Sequence, residues 1–128
     1  MKQITLGTTG ITVPQNAFGA LPIQRVDMDT AKNILRRAYD GGMRFFDTAR
    51  AYSDSEEKLG NAFKGMRDKI YIASKTMGRT PEEFRSQLET SLEMLKTDYN
   101  WKNGFPIWKI HRSRIMKSWN ILKKKRRS

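Results

Sequence analysis

The chain reads as an α/β protein, and three features of its 128 residues say so. Apolar runs of strand length, Met43 with Phe45 and Phe46 and then Ile70 to Ala73, alternate with longer stretches whose apolar residues recur at helical spacing. Neither run splits into a polar and an apolar face, as expected of parallel strands covered on both sides. Each gives way to a polar loop and then to a helix pattern, which is the order of βα units.

The elements follow in order. Gln3 to Leu6 and Ile11 to Val13 flank Gly-Thr-Thr-Gly and predict a small hairpin. Asn16 to Ile23 reads as the first strand of the main sheet, where Gly19 and Ala20 would let a cofactor approach the backbone closely. Residues 29 to 40 carry Ala31, Ile34, Leu35, Ala38 and Tyr39 at helical spacing, stopped by Gly41 and Gly42. The run from Met43 is the next strand, and a helix starts at Ser53 or Ser55 with Glu56 and Glu57 in its first turn. Leu59, Ala62 and Phe63 give that helix its inner face and Gly65 ends it. After the strand at Ile70 to Ala73, Thr80 and Glu83 predict a capping box around Pro81, and Phe84, Leu88, Leu92 and Leu95 form the core stripe of a third helix.

Chemistry concentrates at two strand ends. Asp47 closes one apolar run, Tyr52 lies in the loop after it, and Lys75 closes the other. The 28 positions from Asp47 to Lys75 hold a loop, a helix, a turn and a strand, so a right-handed crossover brings both ends to one rim. A free phenol titrates near pH 10, and using one as an acid near neutrality calls for about 4 kcal/mol of phenolate stabilisation. An ammonium about 4 Å away supplies about that at an effective dielectric near 20. Asp47 would hold the lysine charged and oriented. Taken singly each has a plainer reading: Asp47 as a helix cap, Tyr52 as a rim aromatic, Lys75 as a solvated strand end.

Three stretches, GGMRFFDTARAYSDSE at 41–56, IYIASKT at 70–76 and LETSLEMLKTDY at 88–99, resemble motifs of the aldo-keto reductases. The resemblance implies a (β/α)8 barrel whose N-terminal hairpin covers its bottom. It further implies hydride transfer from a nicotinamide cofactor, usually NADPH and otherwise NADH, to a small aldehyde or ketone. The family tetrad is Asp, Tyr, Lys and His, and Asp47, Tyr52 and Lys75 match the first three by motif, with Gly19, Ala20 and Asp47 expected on the cofactor side. In the family the strand after the third motif reads like YIDxYxxH, whereas here Asn100 to Pro106 follow. His111 stands in an Ile-His-Arg-Ser-Arg context that carries no such match, and it is given no role.

Length and charge qualify this. A complete barrel takes about 250 residues, so 128 residues correspond to a partial barrel of the hairpin and about three βα units, and the chain is expected to be truncated and inactive by itself. Open sheet edges would then favour self-association. With no cysteine there is no disulfide framework and no thiolate metal site. No apolar run approaches about 18 residues and the N-terminus lacks a signal-peptide core, so a cytoplasmic protein without a membrane partner is expected.

Residues 1–99 hold 15 basic and 13 acidic side chains, whereas residues 100–128 hold 10 basic, no acidic and all three tryptophans. Two segments are therefore expected: 1–99 as the N-terminal portion of the barrel and 100–128 as a basic, Trp-containing tail. So abrupt a change suggests a frameshifted or misassembled reading frame. The alternative is a non-enzymatic fragment whose basic arm, ending in Lys123 to Arg127, engages nucleic acid or another acidic partner, with Trp108, Ile115, Trp119 and Leu122 on one helical face. Because basic tails bind polyanions weakly whatever their origin, no specific nucleic acid is expected.

Overall fold

The structure, a computed structural model, describes residues 2–8 and 10–96, and beyond them only the backbone of two short strands. The chain opens with an antiparallel hairpin of β1, Gln3–Thr5, and β2, Thr12–Pro14, in the register Gln3↔Pro14 to Thr5↔Thr12. Thr5 and Thr12 share a hydroxyl hydrogen bond of 2.9 Å across it, and Gly7 and Gly10 take the positive φ values that the turn requires.

The main sheet is parallel and ordered β3-β4-β5, with β3 at Phe18–Gly19, β4 at Phe45–Asp47 and β5 at Tyr71–Ala73. Its register sets Phe18 beside Phe46 and Gly19 beside Asp47, then Asp47 beside Ala73. The first strand is thus much shorter than the expected span from Asn16 to Ile23. The reason is Pro22, which has no N–H for a ladder and starts a turn of 3-10 helix, Pro22–Arg25, that carries Ile23 into the core.

Helix α1, Met28–Asp40, starts at Asp27, whose carboxylate accepts from the Thr30 amide at 2.7 Å. That bond holds the Asp27 carboxyl below its ordinary range. Ala31 and Leu35 are buried, but Ile34 lies one helical step off that face and is exposed. Helix α2, Ser55–Ala62, buries Leu59 and Ala62 beside its C-cap Phe63, and Gly65 follows at positive φ. Helix α3, Pro81–Met94, begins at Thr80, which accepts from the Glu83 amide at 3.1 Å. The return arm of the expected box shifts by one residue, since Glu83 accepts from the Arg79 amide at 2.7 Å. The buried face is Phe84, Leu88, Ser91 and Leu95, with Leu92 half-buried, so the stripe follows a four-three-four rotation and passes through a serine.

Behind the sheet, Phe46 is fully buried between Phe63, 4.7 Å away centroid to centroid, and Phe18, 5.7 Å away. Ala20, Ile23, Ile70, Ile72 and Leu95 complete one core with the inner faces of the helices. Beyond the fully described residues, β6, Trp101–Lys102, pairs antiparallel with β7, Phe105–Pro106. The remaining expectations for residues 100–128, including the helical face of Trp108 to Leu122, lie outside the described residues. No helix among the described residues is long and apolar enough to cross a membrane.

Gly60 is where α2 meets the end of α3. A Cβ there would overlap the Met94 carbonyl oxygen and come within 2.9 Å of the Leu95 carbonyl carbon. Alanine normally improves a helix interior by about 1 kcal/mol, but backbone atoms cannot yield as a flexible side chain does. Gly60→Ala is therefore expected to destabilise the fold by about 1–3 kcal/mol. Urea unfolding checks this, and a stabilised variant would contradict the packing.

Candidate active site

The parallel register turns a sequence separation of 28 residues into a contact. Asp47 ends β4 and pairs with Ala73 of β5, and the ladder continues past both strands, with the Thr48 amide donating to the Ala73 carbonyl at 2.8 Å and the Arg50 amide to the Lys75 carbonyl at 2.9 Å. Lys75 therefore lies across from the Asp47 loop. Its ammonium donates to both carboxylate oxygens of Asp47, at 2.8 and 2.7 Å, and to the Thr48 carbonyl at 2.9 Å. Three charge-assisted bonds use all three ammonium donors and fix the side chain.

Tyr52 joins from the loop between β4 and α2. Its ring lies under the Lys75 ammonium, 5.4 Å from the ring centroid, within cation–π range. Its hydroxyl has no hydrogen-bond partner among the described residues. Ser53, next in the chain, has a φ of 41°, an unusual conformation for a residue with a Cβ. The structure thus gathers Asp47, Tyr52 and Lys75 at one rim.

Gly19 lies beside Asp47 in the register and has open space where a Cβ would stand. Ala20 differs. Its side chain is fully buried, its amide donates to the Asp47 carbonyl at 2.8 Å, and its carbonyl accepts from the Ser55 hydroxyl at 2.8 Å. Gly19 thus offers approach to the backbone, whereas Ala20 serves as floor.

Beneath the rim lie buried polar groups that carry no local sequence signal. Glu56 is completely buried near the start of α2, accepting from the Ser74 hydroxyl at 2.8 Å and lying 2.8 Å from an Arg50 Nη1. That contact is an ion pair off the hydrogen-bond line, since neither atom meets hydrogen-bond geometry. Thr48 and Ser55 share a buried hydroxyl bond of 2.8 Å. After Lys75, the Gln87 carbonyl oxygen of α3 accepts from the Thr76 hydroxyl and from the Met77 amide at 2.8 Å, anchoring that loop. An acidic residue in the first turn of a helix is common, so nothing local marks Glu56 as buried. Its burial depends on which strand lies beneath.

The structure sets a carboxylate, an ammonium and a phenol ring at adjacent strand ends of a parallel α/β sheet, the end where α/β proteins carry their sites. Residues 3–113 match the Aldo/keto reductase family, and the chain belongs to that family. It is 31% identical over 121 residues to probable aldo-keto reductase 1 of Glycine max, the alignment covering 77% of this chain and 34% of that protein. Among solved structures, an aldo-keto reductase from Pseudomonas aeruginosa matches with a TM-score of 0.81 at 27% identity, over 96% of this chain and 55% of that one. The holo form of the aldo-keto reductase AKR11C1 from Bacillus halodurans matches with a TM-score of 0.74 at 26% identity, over 98% and 45%. These relatives are TIM barrels, of which this chain forms a partial α/β portion. The chain spans about a third of the length of the curated relative and about half of the solved ones.

The family match runs past Tyr99 and encloses His111. His111 lies outside the described residues.

The rim carries a second ion pair. Lys58 is buried and reaches Asp54 at 2.9 Å, and this bond holds the Asp54 carboxyl below its ordinary value of 3.8. A depressed folded-state pKa contributes stability that is complete above the unfolded value and lost as pH falls through the folded one. Wild type should therefore exceed Asp54→Asn in stability above about pH 4 and lose that advantage progressively below it. Urea melts of both proteins across this range check the sign, and an advantage that grew on acidification would contradict the pairing.

Proposed function

We propose that these residues belong to an NAD(P)H-dependent reductase of aldehydes or ketones, in which Tyr52 protonates the carbonyl oxygen. The observation that carries this reading is the Lys75 ammonium, locked on Asp47 and lying on the Tyr52 ring at 5.4 Å while the Tyr52 hydroxyl has no hydrogen-bond partner among the described residues. Asp47 keeps the Lys75 ammonium in place, its carboxylate is half-exposed, and it pairs with Gly19 in the strand register.

The residues present fit a nicotinamide cofactor, because Gly19 leaves open space beside Asp47, and Asp47 and Lys75 meet from two strand ends with Tyr52 alongside. When bound, such a cofactor supplies the hydride. Gly19, Asp47 and the Ala20 floor would form this side of its pocket. The substrate is a small carbonyl compound.

The matched relatives continue well beyond the aligned part, so the 128 residues alone are proposed to be insufficient for activity. NADPH oxidation by this chain with a panel of aldehydes and quinones is expected below about 0.1 per second, a hundredfold under the usual enzyme median. Faster turnover would overturn that part of the reading. Joined to the remainder of a relative's barrel, the chain is expected to reduce carbonyls, and Tyr52→Phe to lower turnover by about 100 to 10,000-fold with cofactor affinity little changed. Lys75→Met should act in the same direction. Equal turnover in a folded, cofactor-binding Tyr52→Phe protein would contradict the assigned acid.

A further inference from the structure

The buried carboxylate of Glu56 sits where the two site-bearing loops meet. One oxygen accepts from Ser74, the residue before Lys75. The other pairs with Arg50, which lies between Asp47 and Tyr52. Arg50 in turn donates its backbone amide to the Lys75 carbonyl at 2.9 Å and its Nη2 to the Ser53 carbonyl at 2.9 Å. The Ser53 carbonyl belongs to the residue with a φ of 41°, directly after Tyr52. One carboxylate therefore holds the Ser74 side chain just before Lys75 and, through one guanidinium, the carbonyl of the strained turn after Tyr52.

A fully buried charge is costly unless its position is used, and a Glu at this helix position would be equally helical in solvent. We propose that Glu56 is a positioning residue, acting through Arg50 and Ser74 to hold Lys75 against Asp47 and Tyr52 at the proton-donating site. The value of that alignment for catalysis rests on the reductase reading above, but the alignment itself does not. Strain at Ser53 supplies the need for such a clamp, since a non-glycine residue keeps positive φ only where surrounding contacts over-determine it.

The test is the exchange rate of the Lys75 ammonium protons, followed by nitrogen-detected NMR of the intact 128-residue chain, with Lys58 as internal reference. Lys58 is also buried and ion-paired, to Asp54 at the N-cap of its own helix, and shares no hydrogen bond with Glu56. Glu56→Gln keeps the shape and removes the charge. It is expected to speed exchange at Lys75 by about tenfold while Lys58 changes less than about twofold. Equal acceleration at both lysines would make Glu56 a general support of the fold and overturn the proposal, as would an unchanged Lys75. Should Glu56→Gln fail to fold, Ser74→Ala removes only one arm, and an acceleration of about threefold confined to Lys75 is expected. No change there would overturn the proposal equally. Neither cofactor nor turnover enters this readout, so an inactive protein with the expected exchange pattern would count against the reductase reading alone.

Discussion

The site depends on one constraint, the pairing of β4 with β5 in parallel and in this register. Because Asp47 falls beside Ala73, the chain needs only two further residues to bring Lys75 to the Asp47 carboxylate. Packing enforces the register. Phe46 is fully buried between Phe18 and Phe63, and a slip of one residue would carry it to the opposite face and drive Asp47 inward. Exposing that ring costs about 2–3 kcal/mol and burying an unpaired carboxylate costs more, so no neighbouring register competes.

Above that apolar floor the polar groups form two tiers. The upper tier is partly open, with Asp47 and Lys75 at side-chain exposures of 39% and 27%, which leaves room for a ligand to meet them. The lower tier, Glu56 with Ser74 and Thr48 with Ser55, is fully buried, where hydrogen bonds are electrostatically stronger than in water. Rigid strand ends with a solvated upper layer suit a site that must stay ordered before its ligand arrives.

Much of this was legible in the sequence, for reasons that differ by element. Strand and helix order followed from apolar periodicity, and the α3 start from Thr80 and Pro81, because those signals are local. Asp47, Tyr52 and Lys75 stood out because strand-end position and residue type coincide. What escaped depended on neighbours remote in sequence. Ser91 replaces Leu92 on the buried face of α3 because the helix turns against α2, and Glu56 is buried because Ser74 and Arg50 close over it. The first sheet strand was read too long because its apolar residues continue through Pro22 into a 3-10 turn that buries Ile23 by another route.

The central claim, that folding delivers Lys75 to Asp47 as a fixed pair, is tested most directly by a double-mutant cycle on folding stability with Asp47→Asn, Lys75→Met and both together. A pair with two close oxygen contacts and partial exposure should show a coupling energy of about 1 kcal/mol. A coupling indistinguishable from zero, with both single variants folded, would mean that the pair does not form in solution and would contradict the account.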